Sequence, residues 1–83
     1  MKQLTLAEVG NGERVRVVRR NGGRGFAANL DALGIHLGDE VVVVGSGPFQ
    51  GPVLVEVPNT GVKIAVGRGM AEKLVVEPVD ETG

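Results

Sequence analysis

Cysteine, tryptophan and tyrosine are absent from this chain of 83 residues. Without cysteine, disulfide bonds and thiolate metal sites are excluded, and a reducing cytoplasm is the natural location. The longest apolar run, Val41 to Val44, is far shorter than the roughly 18 residues that span a bilayer. The N-terminus also lacks the charged and apolar segments of a signal peptide. We therefore expect a soluble cytoplasmic protein with no membrane insertion.

The apolar residues that are present favour a β structure. Hydrophobic residues make up 42% of the chain and are mostly valine, leucine and alanine, with Phe26 and Phe49 as the two aromatic residues. Valine is branched at Cβ, which restricts its side-chain rotamers and suits the pleated surface of a sheet. The chain is long enough for one domain, which we expect at residues 4–79, with a frayed tail at 80–83.

Alternation of apolar and polar residues in three segments, together with one unbroken apolar run and a last apolar segment, predicts about five short strands. They lie at Glu13–Arg20, Val41–Val44, Val53–Val57, Val62–Val66 and Leu74–Val79, and most are separated by glycine- or proline-containing turns. Short strands at regular spacing indicate a small β-barrel, in which closure of the sheet protects the strand edges. An edge left unpaired would allow a homo-oligomer.

One helix is predicted between the first two long strands, at about residues 25–33. Phe26, Leu30 and Leu33 recur at helical spacing and share one face. Gly34 follows where a left-handed C-terminal cap needs a residue without Cβ, and Ile35 can fold back on the last turn.

The order of these motifs resembles the ferrous iron transport protein A (FeoA) family. The matching pieces cover about residues 4–77. They are the entry 4–12, the helix end Leu30-Asp31-Ala32-Leu33-Gly34-Ile35, the segment Leu37-Gly38-Asp39-Glu40-Val41, the strand 51–57, and Ile64-Ala65-Val66-Gly67-Arg68 followed by Ala71. No single piece is specific, but their order and spacing are.

The resemblance implies an SH3-like barrel with a helix inserted after the first strand. It also implies a cytoplasmic accessory of a FeoB-type ferrous iron permease, a large membrane protein that carries its own G-protein domain. The same barrel resembles the C-terminal domain of iron- and manganese-dependent repressors, but we expect no DNA-binding helical domain before it, which argues against a repressor.

No catalytic set is found in the sequence. The chain has one histidine, His36, and one serine, Ser46, and with Asp39 these match no local signature of nucleophilic catalysis. The glycine-rich pieces lack the Gly-Lys-Ser/Thr ending of a phosphate loop. We predict that the protein is not an enzyme.

A metal site is considered because His36, Asp39 and Glu40 lie within five residues. Iron(II) favours imidazole and carboxylate ligands, but selective sites gather at least three ligands with second-shell support. If Glu40 begins a strand, its carboxylate and that of Asp39 point to opposite sides. No cofactor is predicted. A weakly held iron(II) or other divalent ion at His36 and Asp39 stays open as an alternative.

Charge is unevenly placed along the chain. Residues 1–24 carry a balance of +4 and residues 25–83 a balance of −5. Arg14 and Arg16 on the first long strand are therefore candidates for docking an acidic partner, against the alternative of a solvated strand face. Nucleic acid is not the expected partner, since the chain lacks aromatic platforms for base stacking.

These considerations leave protein–protein contact as the predicted activity. The candidate contact residues are Leu33 and Ile35 at the helix end, Phe49 in the loop 47–51, and the Arg14–Arg16 strand face. The hypothesis is a non-catalytic accessory that docks on the permease. The alternatives are a barrel that senses or carries a divalent metal and, in another class, a small nucleic-acid-binding barrel.

Overall fold

The computed structural model describes residues 3–22, 24–46 and 51–79, which form one antiparallel sheet and three short helices. The strands are β1 (Leu4–Thr5), β2 (Arg14–Arg20), β3 (Glu40–Ser46), β4 (Val53–Val57), β5 (Val62–Val66) and β6 (Leu74–Pro78). The helices are a 3₁₀ turn (Leu6–Glu8), α1 (Arg24–Leu33) and α2 (Arg68–Ala71). The predicted mainly-β fold with one helix inserted after the first long strand is confirmed. Six strands form rather than about five, because the opening residues pair as a two-residue strand.

The strand order is β1-β6-β2-β3-β4-β5, so β1 and β5 lie at the two ends of the sheet. Within the described residues these ends are not joined by strand pairing, which corrects the expectation of a closed ladder. Arg68 ties the ends together instead. Its Nε donates to the carbonyl of Gly51 at 3.2 Å, just before β4, and its Nη1 donates to the carbonyl of Ala7 at 3.4 Å, just after β1.

The core lies inside the curved sheet and consists of aliphatic side chains. In β2, β3 and β4 alternate residues are buried, because successive side chains project to opposite faces, whereas β6 buries three consecutive residues. The largest fully buried side chains are each at most 2% exposed. They are Leu6, Val15, Val17, Leu30, Ile35, Val41, Val43, Val53, Val55, Val66, Leu74 and Val76. Each such burial contributes roughly 1.5–3 kcal/mol relative to exposure.

The C-terminal cap of α1 takes the predicted form. Gly34 has a φ of +86°, its N–H donates to the carbonyl of Asp31 at 3.0 Å, and the N–H of Ile35 donates to the carbonyl of Leu30 at 3.1 Å. This pair of bonds is a Schellman motif. It turns Ile35 back into the core beside Leu30, where both are buried. The side chain of Phe26 lies outside what the structure describes.

Two β-bulges shape the sheet. The register of β2 against β6 shifts between Val17 and Arg19, and that of β3 against β4 shifts between Val43 and Gly45. Each bulge inserts one residue, bends its strand and increases the local twist. The sheet can therefore curl around a thin core.

Gly34→Ala should destabilise the protein by about 1–2 kcal/mol, because a side chain at a left-handed φ is strained. Urea unfolding followed by circular dichroism measures the change. The matched control is Gly25→Ala in the same helix, where a Cβ meets no atom within 4 Å. That change should be neutral or stabilising by about 0.5–1 kcal/mol. Equal effects of the two substitutions would contradict the cap assignment.

Arg68→Met should destabilise the protein by about 1–3 kcal/mol, because the Ala7 and Gly51 carbonyls lose a charged donor. The free energy of unfolding in urea is the readout. Arg19→Met replaces an exposed arginine on β2 and should change stability by no more than about 0.5 kcal/mol. If Arg68→Met behaves like Arg19→Met, the guanidinium does not hold the ends of the sheet.

Candidate functional site

A row of charged side chains crosses three strands on the outer face of the sheet. Arg16 of β2 lies opposite Glu40 of β3 on one side and opposite Glu77 of β6 on the other. Its Nη2 donates to Glu40 Oε2 at 3.0 Å, and its Nη1 lies 3.7 Å from Glu77 Oε1. Since side chains directly opposite each other in antiparallel strands are neighbours, the register itself brings these charges together.

Arg14 adds a second cation to Glu40. Its Nε donates to Glu40 Oε1 at 2.8 Å, so each carboxylate oxygen accepts from a different guanidinium. Hydrogen bonds from Arg14, and next from Arg16, hold the pKa of the Glu40 carboxyl below its usual value, against the smaller effect of desolvation, which raises it. The two arginines predicted as a docking face thus have carboxylate partners within the chain.

The turn between α1 and β3, residues 34–39, is held against β2 by backbone hydrogen bonds. The N–H of Gly38 donates to the carbonyl of Val17 at 2.7 Å, and the N–H of Val17 donates to the carbonyl of Asp39 at 2.9 Å. Asp39 also closes the turn internally, because its Oδ2 accepts from the N–H of His36 at 2.9 Å. Gly38 itself needs the left-handed φ of +92°. The turn is therefore a defined surface.

A cleft of about 390 Å³ lies beside this turn. Its walls are the turn and the hairpin between β4 and β5, with an arginine of β2 between them. The lining residues are Arg14, Gly38, Asp39, Glu40, Val57, Pro58 and Asn59. The predicted hairpin connection is confirmed, since the N–H of Gly61 donates to the carbonyl of Val57 at 2.8 Å. One guanidinium group, two carboxylates and an amide thus surround a small polar opening.

The predicted contact residues at the helix end differ in accessibility. Leu33 is half-buried and packs against the core. Ile35 is 2% exposed, so its side chain contributes to the core and offers almost no surface to a partner. Leu37, two residues further along, is 51% exposed. Leu37 is not among the contact residues predicted from the sequence, because nothing in its spacing distinguishes it from a buried leucine.

Of the two other predicted contacts, one lies in the described part of the structure and one does not. Phe49 lies outside the described residues. The Arg14–Arg16 face is present on the outside of the sheet, with both arginines half-buried. Glu40 and Glu77 were not predicted as their partners, because Glu40 is 24 residues from Arg16 and only the register reveals the contact.

His36 and Asp39, the weak metal candidate, are brought together at the turn. Nδ1 of His36 lies 3.4 Å from Asp39 Oδ2, whereas its Nε2 lies 3.9 Å from Asp31 Oδ1. Each ring nitrogen of His36 therefore faces one carboxylate, and a metal ion bound to either nitrogen would lie beside a single carboxylate. Among residues 3–22, 24–46 and 51–79, no group of three or more histidine, aspartate or glutamate side chains is placed to hold a metal ion.

Glu40→Gln should lower stability at neutral pH, because it removes the charge that both guanidinium groups bind. With its folded pKa lowered, Glu40 contributes stability that is fully present above the unfolded pKa of about 4.3 and is lost as pH falls through the folded pKa. The difference in urea midpoint between wild type and Glu40→Gln should therefore be largest above about pH 5 and shrink towards pH 3.

The control for this pH series is Glu72→Gln. Glu72 is exposed and has no ion pair within the described part of the chain. Its substitution should leave the pH profile of stability unchanged. A Glu40→Gln difference that is constant from pH 7 to pH 3 would show that the carboxylate charge does not stabilise the fold.

Known proteins are similar to this chain in sequence and in fold. The FeoA domain family matches residues 4–78. A protein of Methanocaldococcus jannaschii, provisionally named Fe(2+) transport protein A, is 35% identical over 78 residues, which are 94% of this chain and 90% of that protein. The described helices include none that is long and apolar enough to cross a membrane.

Solved structures agree with the sequence match. The crystal structure of an iron uptake regulatory protein (FeoA) has a TM-score of 0.82 and 29% identity, covering 95% of this chain and all of that chain. A manganese-dependent transcriptional repressor in complex with manganese has a TM-score of 0.85 at 19% identity, covering 95% of this chain and 38% of that chain, and so shares the fold alone. The chain therefore belongs to the FeoA family, that of the ferrous iron transport protein A.

Proposed function

We propose that this protein is a non-catalytic cytoplasmic accessory of ferrous iron uptake that docks on the cytosolic part of a FeoB-type permease. The observation that carries the proposal is the family match over residues 4–78, together with the relative whose name refers to Fe(2+) transport. A small β-sheet domain with a polar cleft suits a role in binding another protein.

The surface best suited to docking is the turn with the adjacent cleft. Leu37 supplies an exposed apolar side chain, and Gly38 and Asp39 continue directly into the cleft wall. Interfaces commonly combine an apolar anchor with a polar rim. Arg14 lies within the cleft and Leu33 sits nearby at the helix end, so two of the sequence-predicted contacts belong to this surface or flank it.

The turn is already ordered before a partner arrives. The Gly38 N–H donates to the Val17 carbonyl, and the Val17 N–H donates to the Asp39 carbonyl. With the Asp39 carboxylate that accepts from the His36 N–H, these bonds fix the backbone that presents Leu37. Binding to an ordered surface avoids the entropy loss of fixing a loop. Arg16 and Phe49 remain predictions from the sequence. The guanidinium group of Arg16 is partly occupied by the carboxylates of Glu40 and Glu77, and Phe49 lies outside the described residues.

A non-catalytic role is supported by the surroundings of the chain's one histidine. Both ring nitrogens of His36 are directed towards carboxylates, those of Asp31 and Asp39. A general base needs a nucleophile or a reacting proton within hydrogen-bond reach. The Asp39 carboxylate is instead used as a cap of the turn.

The test is an amide NMR titration of the labelled protein with the purified cytosolic domains of the permease. We expect shifts of the amide signals of residues 33–39 and of the hairpin residues next to Pro58. Leu37→Ser should bind the permease domains about tenfold more weakly. Leu54→Ser is the matched control, because Leu54 is 37% exposed on the outer face of β4, away from the turn. It should bind as wild type does.

The outcomes separate two failures. If the wild-type spectrum does not change with saturating permease domains, docking on the cytosolic part is wrong. If the wild type binds and Leu37→Ser binds equally well, docking stands but the turn surface is not its site. Thermal unfolding of each variant checks that the fold is intact.

A further inference from the structure

Exposed apolar side chains are concentrated at one end of the sheet. Of the four large hydrophobic residues that are exposed in the described part of the chain, three lie on β3, β4 and β5: Val44 (37%), Leu54 (37%) and Val62 (53%). Ala65, opposite Leu54 on β5, is exposed as well. This end of the sheet therefore keeps apolar surface in contact with water.

The same end carries an open strand edge. Within the described residues β5 pairs only with β4, so one row of its backbone N–H and C=O groups has no strand partner. Natural proteins usually blunt such edges with charges, proline or a bulge. β5 has no proline, and its five residues pair with β4 without a register shift, so the strand stays regular. Lys63 is its one charge.

The sequence of β5 is self-complementary in an antiparallel arrangement. If two copies pair about Ile64, Lys63 faces Ala65 of the second copy, and Val62 faces Val66 of the second copy. No like charges are then opposed along the edge, and each lysine stem can cover the exposed Ala65 and Leu54 of the other chain. Glu56 remains opposite Lys63 within its own chain.

The rest of the edge does not oppose this pairing. The hairpin Pro58–Gly61 carries no charge, and Arg68 beyond the other end of β5 is bonded to the Ala7 and Gly51 carbonyls. A register shifted by two residues towards the hairpin would instead place Lys63 against Lys63. The charge pattern therefore favours the pairing about Ile64.

We propose that a second copy of this chain pairs antiparallel with β5 about Ile64, forming a two-fold dimer with a continuous sheet. The inference does not depend on the proposed function, because it concerns the protein alone. An edge of five residues makes a small interface, and interfaces under about 1,200 Å² are generally weak. Analytical ultracentrifugation should therefore detect a monomer–dimer equilibrium between about 10 µM and about 1 mM.

Charge exchange tests the register. Ala65→Lys places two lysines opposite each other at two symmetric positions, so the dimer should dissociate roughly five- to thirtyfold more readily. Lys63→Glu combined with Ala65→Lys places opposite charges there and should restore the dimer. The control Ala32→Lys adds the same charge at an exposed alanine of α1 and should leave the equilibrium unchanged.

Three results would overturn the inference. Wild type that remains monomeric to about 1 mM excludes the dimer. A dimer that is insensitive to Ala65→Lys joins the chains through another face. A dimer that Ala65→Lys weakens but the double substitution does not restore has another register, or the edge accepts a different extended segment. Thermal unfolding of every variant in dilute solution checks that β5 remains folded.

Discussion

The bonds from Arg68 hold together a sheet whose ends do not pair. They join the carbonyl after β1 to the carbonyl before β4, and these positions lie next to deeply buried residues. Leu6 precedes Ala7 directly and is 1% exposed, and Val53 lies two residues after Gly51 and is 2% exposed. In a chain too short for a second core, separation of these ends would open the single core to water.

Strand β2 serves the core and the outer surface at the same time. Val15 and Val17 point inward, while Arg14 and Arg16 point outward to carboxylates. Alternation makes this division possible, and pairing of β2 with β3 and β6 places Glu40 and Glu77 beside the arginines. The positive charge of residues 1–24 is thereby partly neutralised within the fold. The register of the strands, rather than the composition, decides how much of this charge a partner can reach.

Local patterns predicted most of the fold, because strand alternation, turn residues and the Gly34 cap depend on neighbours in sequence. The site was harder to predict, since its contacts are long-range. The Arg14–Glu40 bond spans 26 residues, and no periodicity indicates it. Ile35 was predicted to contact a partner, but the cap that was correctly predicted is what turns its side chain into the core. Sheet closure through Arg68 likewise requires three elements in space.

The turn proposed for docking and the free edge of β5 meet at the β4–β5 hairpin. Val57 lines the cleft and is also the cross-strand partner of Val62, an apolar residue of β5 that is 53% exposed. A substitution in the hairpin would therefore disturb both surfaces, and a change in partner binding or in dimerisation could not be attributed to either one. Leu37 and Ala65 avoid this ambiguity, because one lies in the turn before β3 and the other near the far end of β5. Since neither is a core residue, each can be changed while the hairpin that connects the two surfaces remains intact.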